Sequence, residues 1–248
     1  VVCRRQRQMC IRDRNLTSSE IISQLWIANY YEDESERVSN VVFMGMGEPL
    51  MNTTNVLKTI NIMKDQKCYS LSKRRITLST SGIVPEIEAI TGKTDVSLAI
   101  SLHASNDDLR NEIVPINKKY PIRDLLLSSK NYLKSLNSKS YITVEYILID
   151  KVNDSIEDAS NLVSLLSDLK CKINLIPFNP FPESEYKRSS HQNVESFKNH
   201  LIKNKFIATV RTTRGDEIDG ACGQLVGKLI NPIGSKKLKK EQISARNI

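Results

Sequence analysis

Five short strings in this sequence combine residue types useful for chemistry with glycines or prolines that hold them in the open. The first is Gly45-Met46-Gly47-Glu48-Pro49. Its glycines let the backbone approach a ligand closely and its proline stiffens the turn, which presents the Glu48 carboxylate at a rim; the same string reads equally well as a structural turn. The second, Leu78-Ser79-Thr80-Ser81-Gly82, sets three hydroxyls before a glycine that can open a helix. That pattern suits a ribose, a carboxylate or a phosphate. Ser101-Leu102-His103-Ala104 puts an imidazole beside a hydroxyl, although a lone histidine is more often a satisfied structural residue. Three prolines fall between Ile176 and Pro182 and fix a rigid loop around Asn179, whose amide both donates and accepts. Last comes Ala221-Cys222-Gly223, where the small neighbours leave Cys222 either a reactive thiol or a small buried hydrophobe.

The elements that must position these residues follow from periodicity. Short β-branched runs at Val41–Gly45, Ile76–Ser79, Val96–Leu102, Ile142–Ile149, Lys172–Pro177 and Phe206–Arg211 alternate with segments of helical period. The helices are expected over Asn15–Tyr31, with Thr17 or Ser18 as N-cap, and over 54–65, 83–91, 106–112, 121–137, 154–169 and 192–204. Repeated βα units imply a parallel sheet, either doubly wound or closed as a barrel. The chemical strings lie just after strands, on the face where such architectures collect function.

With 248 residues, 40% hydrophobic and 26% charged, the chain has the composition of one globular α/β domain and contains no apolar run long enough to cross a membrane. Its formal charge of +8 is concentrated at the ends. Residues 1–14 are net +4 and residues 228–248 net +5, which leaves the body at −1. Five scattered cysteines do not form a disulfide framework and point to a reducing, cytoplasmic setting. Cys68 and Cys171 read as passive thiols, His191 and His200 as surface residues, and Gly234–Lys240 as part of a solvated tail. Lys73-Arg74-Arg75, Lys118-Lys119 and Lys187-Arg188 can meet phosphates but read more readily as solvated faces, whereas Arg211 and Arg214, which flank the Cys222 segment, point towards RNA.

The strings GMGEPL, TLSTSG, AISLHASND, NLIPFNPFPES and RTTRGDEIDGACGQL, in this order, carry a resemblance. From about Arg14 to Leu229 the chain resembles the radical S-adenosylmethionine adenosine C2 methyltransferases of 23S ribosomal RNA, whose bacterial members also modify some transfer RNAs. The resemblance implies an α/β fold, a partial parallel (β/α)6 barrel over 14–231 that lacks its first strand and the family's N-terminal domain, followed by a basic tail over 232–248. It implies that Gly47 and Glu48 contact the amino acid end of S-adenosylmethionine and that Ser79, Ser101, Leu102, His103 and Asn179 complete the pocket. Cys222 matches the cysteine that carries the methyl group. In such enzymes this thiol is methylated first, and a second S-adenosylmethionine is then cleaved at a [4Fe-4S] cluster to start radical addition to adenine C2. The cofactor does the hard step because that carbon is a poor nucleophile. The implied partners are 23S rRNA, tRNA and a flavodoxin-type electron donor, with no membrane. Two other readings stay open, a sibling that methylates C8 of the same adenosine and a non-catalytic RNA-binding or cofactor-binding remnant.

The sequence departs from the family at its start. The family holds its cluster on a C-x3-C-x2-C loop just before the Arg-Asn-Leu segment, whereas here only Cys3 and Cys10 precede it. Residues 1–13 are therefore expected to be a leader unrelated to the family, and no metal ligand is assigned.

Overall fold

The computed structural model describes residues 14–30, 37–45, 47–180 and 184–211. Six strands form one sheet: β1 (Val41–Phe43), β2 (Ile76–Thr80), β3 (Ser97–Ser101), β4 (Ile142–Leu148), β5 (Cys171–Pro177) and β6 (Ile207–Val210). Every pairing is parallel and the spatial order is the sequence order. A doubly wound sheet needs its order to reverse, so that alternative is excluded for these strands. Right-handed crossovers that always step to the next strand put all their helices on one face. The sheet curls as a barrel wall does, and β1 and β6 are not hydrogen-bonded to each other among the described residues. Their ends approach at the rim, where Arg211 Nη1 lies 3.9 Å from Met44 Sδ.

The helices are α1 (Ser18–Tyr30), α2 (Thr53–Lys64), α3 (Val84–Ile90), α4 (Asp107–Ile113), α5 (Ile122–Ser135), α6 (Ile156–Leu166) and α7 (His191–Lys203). All seven expected helices are present, most with ends displaced by one to three residues from the expected bounds. At the start of α1, Thr17 and Glu20 exchange backbone and side-chain hydrogen bonds as a capping box, which selects Thr17 over Ser18 as the cap. Ser155 and Asp158 do the same for α6. β1 stops at Phe43, short of the expected Gly45, because Gly45 and Gly47 take φ of +127° and +83°, outside strand geometry.

Strand residues of one parity, including Ile76, Leu78, Leu98, Ile100, Val144 and Leu175, are fully buried beneath the helices. They pack with Ile87, Leu125, Tyr132, Leu162, Phe197 and Leu201 in one core. Residues of the other parity, such as Ser79, Ser101, Thr143, Glu145 and Asn174, line the opposite, concave face. The alternation separates an apolar helix side from a polar lumen. His200 is not the free surface group expected from sequence: it is half-buried in α7, and its Nε2 lies 3.1 Å from Ser160 Oγ of α6.

Candidate functional site at the C-terminal rim of the sheet

Glu48 follows β1 and links two strand ends. One carboxylate oxygen accepts from the Leu50 amide at 3.0 Å, capping a short 3-10 turn over Pro49–Asn52. The other accepts from both the Ser81 amide and the Ser81 hydroxyl at 2.7 Å. An ionised carboxylate offers about four acceptor positions. Three are engaged inside the protein, which leaves one for a ligand. Gly47 is exposed beside it, and its positive φ is a conformation that a side chain would strain. Ser79 pairs in register with Ala99 and faces the lumen one layer below the rim.

His103 lies two residues past β3 with φ of +63°, an uncommon backbone state for a residue other than glycine. Three bonds hold it there. Its amide donates to the Glu145 carbonyl at 3.2 Å, its carbonyl accepts from Asn153 Nδ2 at 3.0 Å, and its Nδ1 accepts from the Ile147 amide at 3.2 Å. An Nδ1 that accepts a backbone N–H puts the ring proton on Nε2. Burial, followed by the charge of Arg110, lowers the imidazole to about 4, so at neutral pH it is an uncharged Nε2–H donor. Ser101 sits two residues below, half-buried on the same face. Leu102 faces the other way: its side chain is buried in the core, its amide donates to the Glu145 carbonyl and its carbonyl accepts from Arg110. Asn179 is half-exposed after β5, next to buried Phe178, whose amide donates to the Leu148 carbonyl at 2.8 Å.

Three residues that sequence reasoning passed over organise this rim. Arg110 of α4 is fully buried and donates to the carbonyls of Ser81 (2.7 Å), Ser101 (3.1 Å) and Leu102 (3.0 Å) and to Asn117 Oδ1 (2.6 Å). Burial draws its guanidinium down to about 10, so it stays charged. Gly82, at φ +112°, makes room for it, since a Cβ there would lie 3.3 Å from Arg110 Nη2 and 3.2 Å from Leu125. Asn153 binds β3 to β4: Nδ2 donates to the His103 and Ile147 carbonyls, and Oδ1 accepts from the Ile149 amide. The third is Glu145, 5% exposed on the lumen side and in register with Ser101, Asn174 and, through Asn174, Thr209. Asn174 Nδ2 donates to its carboxylate at 2.9 Å. The signals were slight: a charged residue in the middle of the otherwise apolar run of β4, an Asn just past a strand, and an arginine that on a helix reads as solvated.

Burial raises the Glu145 carboxyl, opposed by the Asn174 hydrogen bond and by Arg211 and Lys172. A raised carboxyl contributes most below its unfolded pKa of about 4.3 and loses that contribution as pH climbs through the folded value. Glu145→Gln is therefore expected to raise the melting temperature at pH 7, with the gain vanishing below about pH 4. Thermal unfolding at both pH values checks this; an equal gain at both would place the cause in packing.

Residues 8–163 match the family model described as the radical SAM superfamily. The chain belongs to the radical SAM superfamily. Among curated relatives of this radical SAM chain, the dual-specificity RNA methyltransferases RlmN of Psychrobacter arcticus, Marinobacter nauticus and Marinomonas sp. are 51%, 52% and 56% identical over 88%, 88% and 87% of it. The chain covers 57%, 60% and 59% of those proteins, so it spans about three-fifths of their length. A radical SAM methyltransferase structure from Sphaerobacter thermophilus superposes with a TM-score of 0.80 at 40% identity, over 86% of this chain and 62% of that one. A domain of the pyruvate-formate lyase-activating enzyme from Bacteroides vulgatus shares the fold alone, with a TM-score of 0.50 at 16% identity over 70% of this chain and 99% of that domain.

The superfamily implies S-adenosylmethionine and an iron–sulfur cluster. The rim fits the first, because Gly47 backbone, the Ser79 and Ser101 hydroxyls, His103 Nε2–H and the Asn179 amide gather on one concave edge. The described cysteines do not fit the second. Cys68 lies in an exposed turn after α2 and Cys171 opens β5 with its thiol pushed up to about 12 by burial, both at the opposite end of the sheet. Among the described residues no group of His, Cys, Asp and Glu can hold a metal ion. Cys222 lies outside the described residues, as do Met46, Phe181, Pro182 and Arg214. No described helix is long and apolar enough to cross a membrane.

Proposed function

We propose that this chain is the barrel portion of a radical SAM methyltransferase that methylates C2 of an adenosine in 23S rRNA and also acts on tRNA, in the cytoplasm. The observation that carries the reading is the gathering of Gly47, Glu48, Ser79, Ser101, His103 and Asn179 at one rim of a chain that is over half identical to RNA methyltransferases.

In this reading S-adenosylmethionine, when bound, supplies the methyl group. The residues present hold it and keep protons where they belong. His103, uncharged with its proton on Nε2, donates a hydrogen bond without adding positive charge near a sulfonium. Ser79 and Ser101 offer hydroxyls that both donate and accept, and Asn179 offers an amide of both kinds. Glu48 holds the Ser81 turn and keeps one acceptor position for an ammonium. Leu102 contributes its backbone, since its side chain packs in the core. The Cys222 thiol carries the methyl group to the base. RNA enters at the rim beside Arg211, and a flavodoxin-type protein is the electron source.

The test is mass spectrometry of nucleosides from RNA treated with the enzyme extended to the full length of its relatives. The expected product is 2-methyladenosine, absent with Cys222→Ala. Detection of 8-methyladenosine would sink the C2 assignment, and methylation that survives Cys222→Ala would sink the role of the thiol.

A further inference from the structure

The chain that returns from β5 to α7 ties the Asn179 side of the rim to the His103 side. Its described residues 184–190 pair with the turn that ends β4, where the Asp150 amide donates to the Lys187 carbonyl at 3.0 Å and Ile149 and Arg188 form an antiparallel bridge. Beside that crossing Tyr186 meets α4, the helix that follows β3, and its phenol donates to Glu112 Oε1 at 2.6 Å. The length is that of a charge-assisted O–H···O⁻ bond. This bond, together with burial and the charges of Glu112 and Glu185, pushes the phenol up, so it keeps the proton it donates at neutral pH.

The Tyr186 ring also meets Phe178 edge to face, with centroids 6.1 Å apart and planes at 86°, a favourable arrangement for an aromatic pair. Phe178 is 5% exposed and immediately precedes Asn179. A ring fixed by Glu112 on one side and seated on Phe178 on the other limits where the Asn179 amide can stand. The opposite arm of the pocket hangs from the same helix. Two residues before Glu112, Arg110 donates to the Ser101 and Leu102 carbonyls that lead into His103. With β4 between them, β3 and β5 are about 10 Å apart, so α4 is an anchor common to two groups on separate strands. The phenol bond itself is near the surface, with Glu112 exposed and Tyr186 half-buried, and the strap has other anchors, among them Asn193 Nδ2, which donates to Asp154 at 3.0 Å. Its loss therefore leaves the strap attached and releases the ring that bears on Phe178.

We propose that Tyr186 and Glu112 are a positioning pair that sets Asn179 relative to His103 and so tunes the affinity of the rim for S-adenosylmethionine. The inference rests on the S-adenosylmethionine reading of the rim given above. Tyr186 acts through Phe178 on Asn179, and Glu112 acts through Tyr186.

The test is calorimetric titration of S-adenosylhomocysteine, the unreactive analogue, into the enzyme extended to the full length of its relatives. Tyr186→Phe keeps the ring and removes only the donor, and is expected to weaken binding about fivefold, the factor that one ordinary hydrogen bond carries. Glu112→Ala should match it, and Glu112→Gln, which keeps an acceptor oxygen, should recover part of the loss. The melting temperature should move by no more than about 2 °C in each. In an Asn179→Ala background, itself weakened, Tyr186→Phe should cost nothing further, because its effect passes through that amide. Parental affinity in Tyr186→Phe while Asn179→Ala is weakened overturns the positioning role and leaves the pocket reading standing. An equal loss from Tyr186→Phe with and without Asn179 overturns it too, since the ring would then act elsewhere. Parental affinity in Asn179→Ala would sink the pocket reading, and the positioning role with it.

Discussion

Replacing Arg110 with methionine is expected to destabilise the fold by about 3–5 kcal/mol, because four buried acceptors lose a charged donor at about 1 kcal/mol or more each. Methionine fills a similar volume, so the loss comes from the partners left behind. The carbonyls of Ser81, Ser101 and Leu102 and the Asn117 amide oxygen all lose a charged donor at once. Asn117 is in turn held by Asp107, whose carboxylate also accepts from the Ile122 amide at 2.9 Å, so the disturbance reaches the start of α5. Lysine would return a charge but only a single compact donor group, and should recover a minority of the loss. Urea unfolding followed by circular dichroism measures it. A methionine variant within about 1 kcal/mol of the parent would mean that sheet pairing alone holds the ends of β2 and β3, because an ordinary neutral hydrogen bond is worth about that much.

Asn153→Ala should have the second largest effect, about 3 kcal/mol, from three hydrogen bonds lost in a fully buried place at about 1 kcal/mol each. Its consequence for the site is greater than its consequence for stability. His103 occupies a left-handed backbone state that is maintained only while the surroundings over-determine it, and Asn153 supplies one of the three bonds that do so. Without it the imidazole should leave the Ile147 amide and titrate nearer its ordinary value of about 6.5 instead of near 4. Proton NMR titration of the ring follows this directly, and Asn153→Ala that leaves the His103 titration unmoved would refute the positioning role.

The six strands and seven helices were legible because the period of apolar residues changes cleanly between two and three to four along the chain. The rim was legible as well, since Glu48, Ser79, Ser101, His103 and Asn179 stand beside the glycines and prolines that end their strands. Leu102 stands apart within that rim for a simple reason. Adjacent residues on a strand point to opposite faces, so a string that includes Ser101 and His103 on one face must send Leu102 to the other. Arg110 and Asn153 were hidden because their partners are backbone carbonyls, and backbone acceptors leave no trace in residue type. The ordering of strands, which excludes a doubly wound sheet, came only from the register of the pairs.

That ordering bears on how the molecule forms and changes. Each strand finds its partner in the next segment of chain, so no pairing waits for a distant stretch to arrive, and the entropy of closing loops stays modest at every stage. Growth can start at any adjacent pair and extend like a zip in both directions, much as stacked repeats do. A lineage that gains or loses a unit at one margin therefore leaves the alignment of the remaining strands intact, a tolerance that a sheet with interleaved strands does not share.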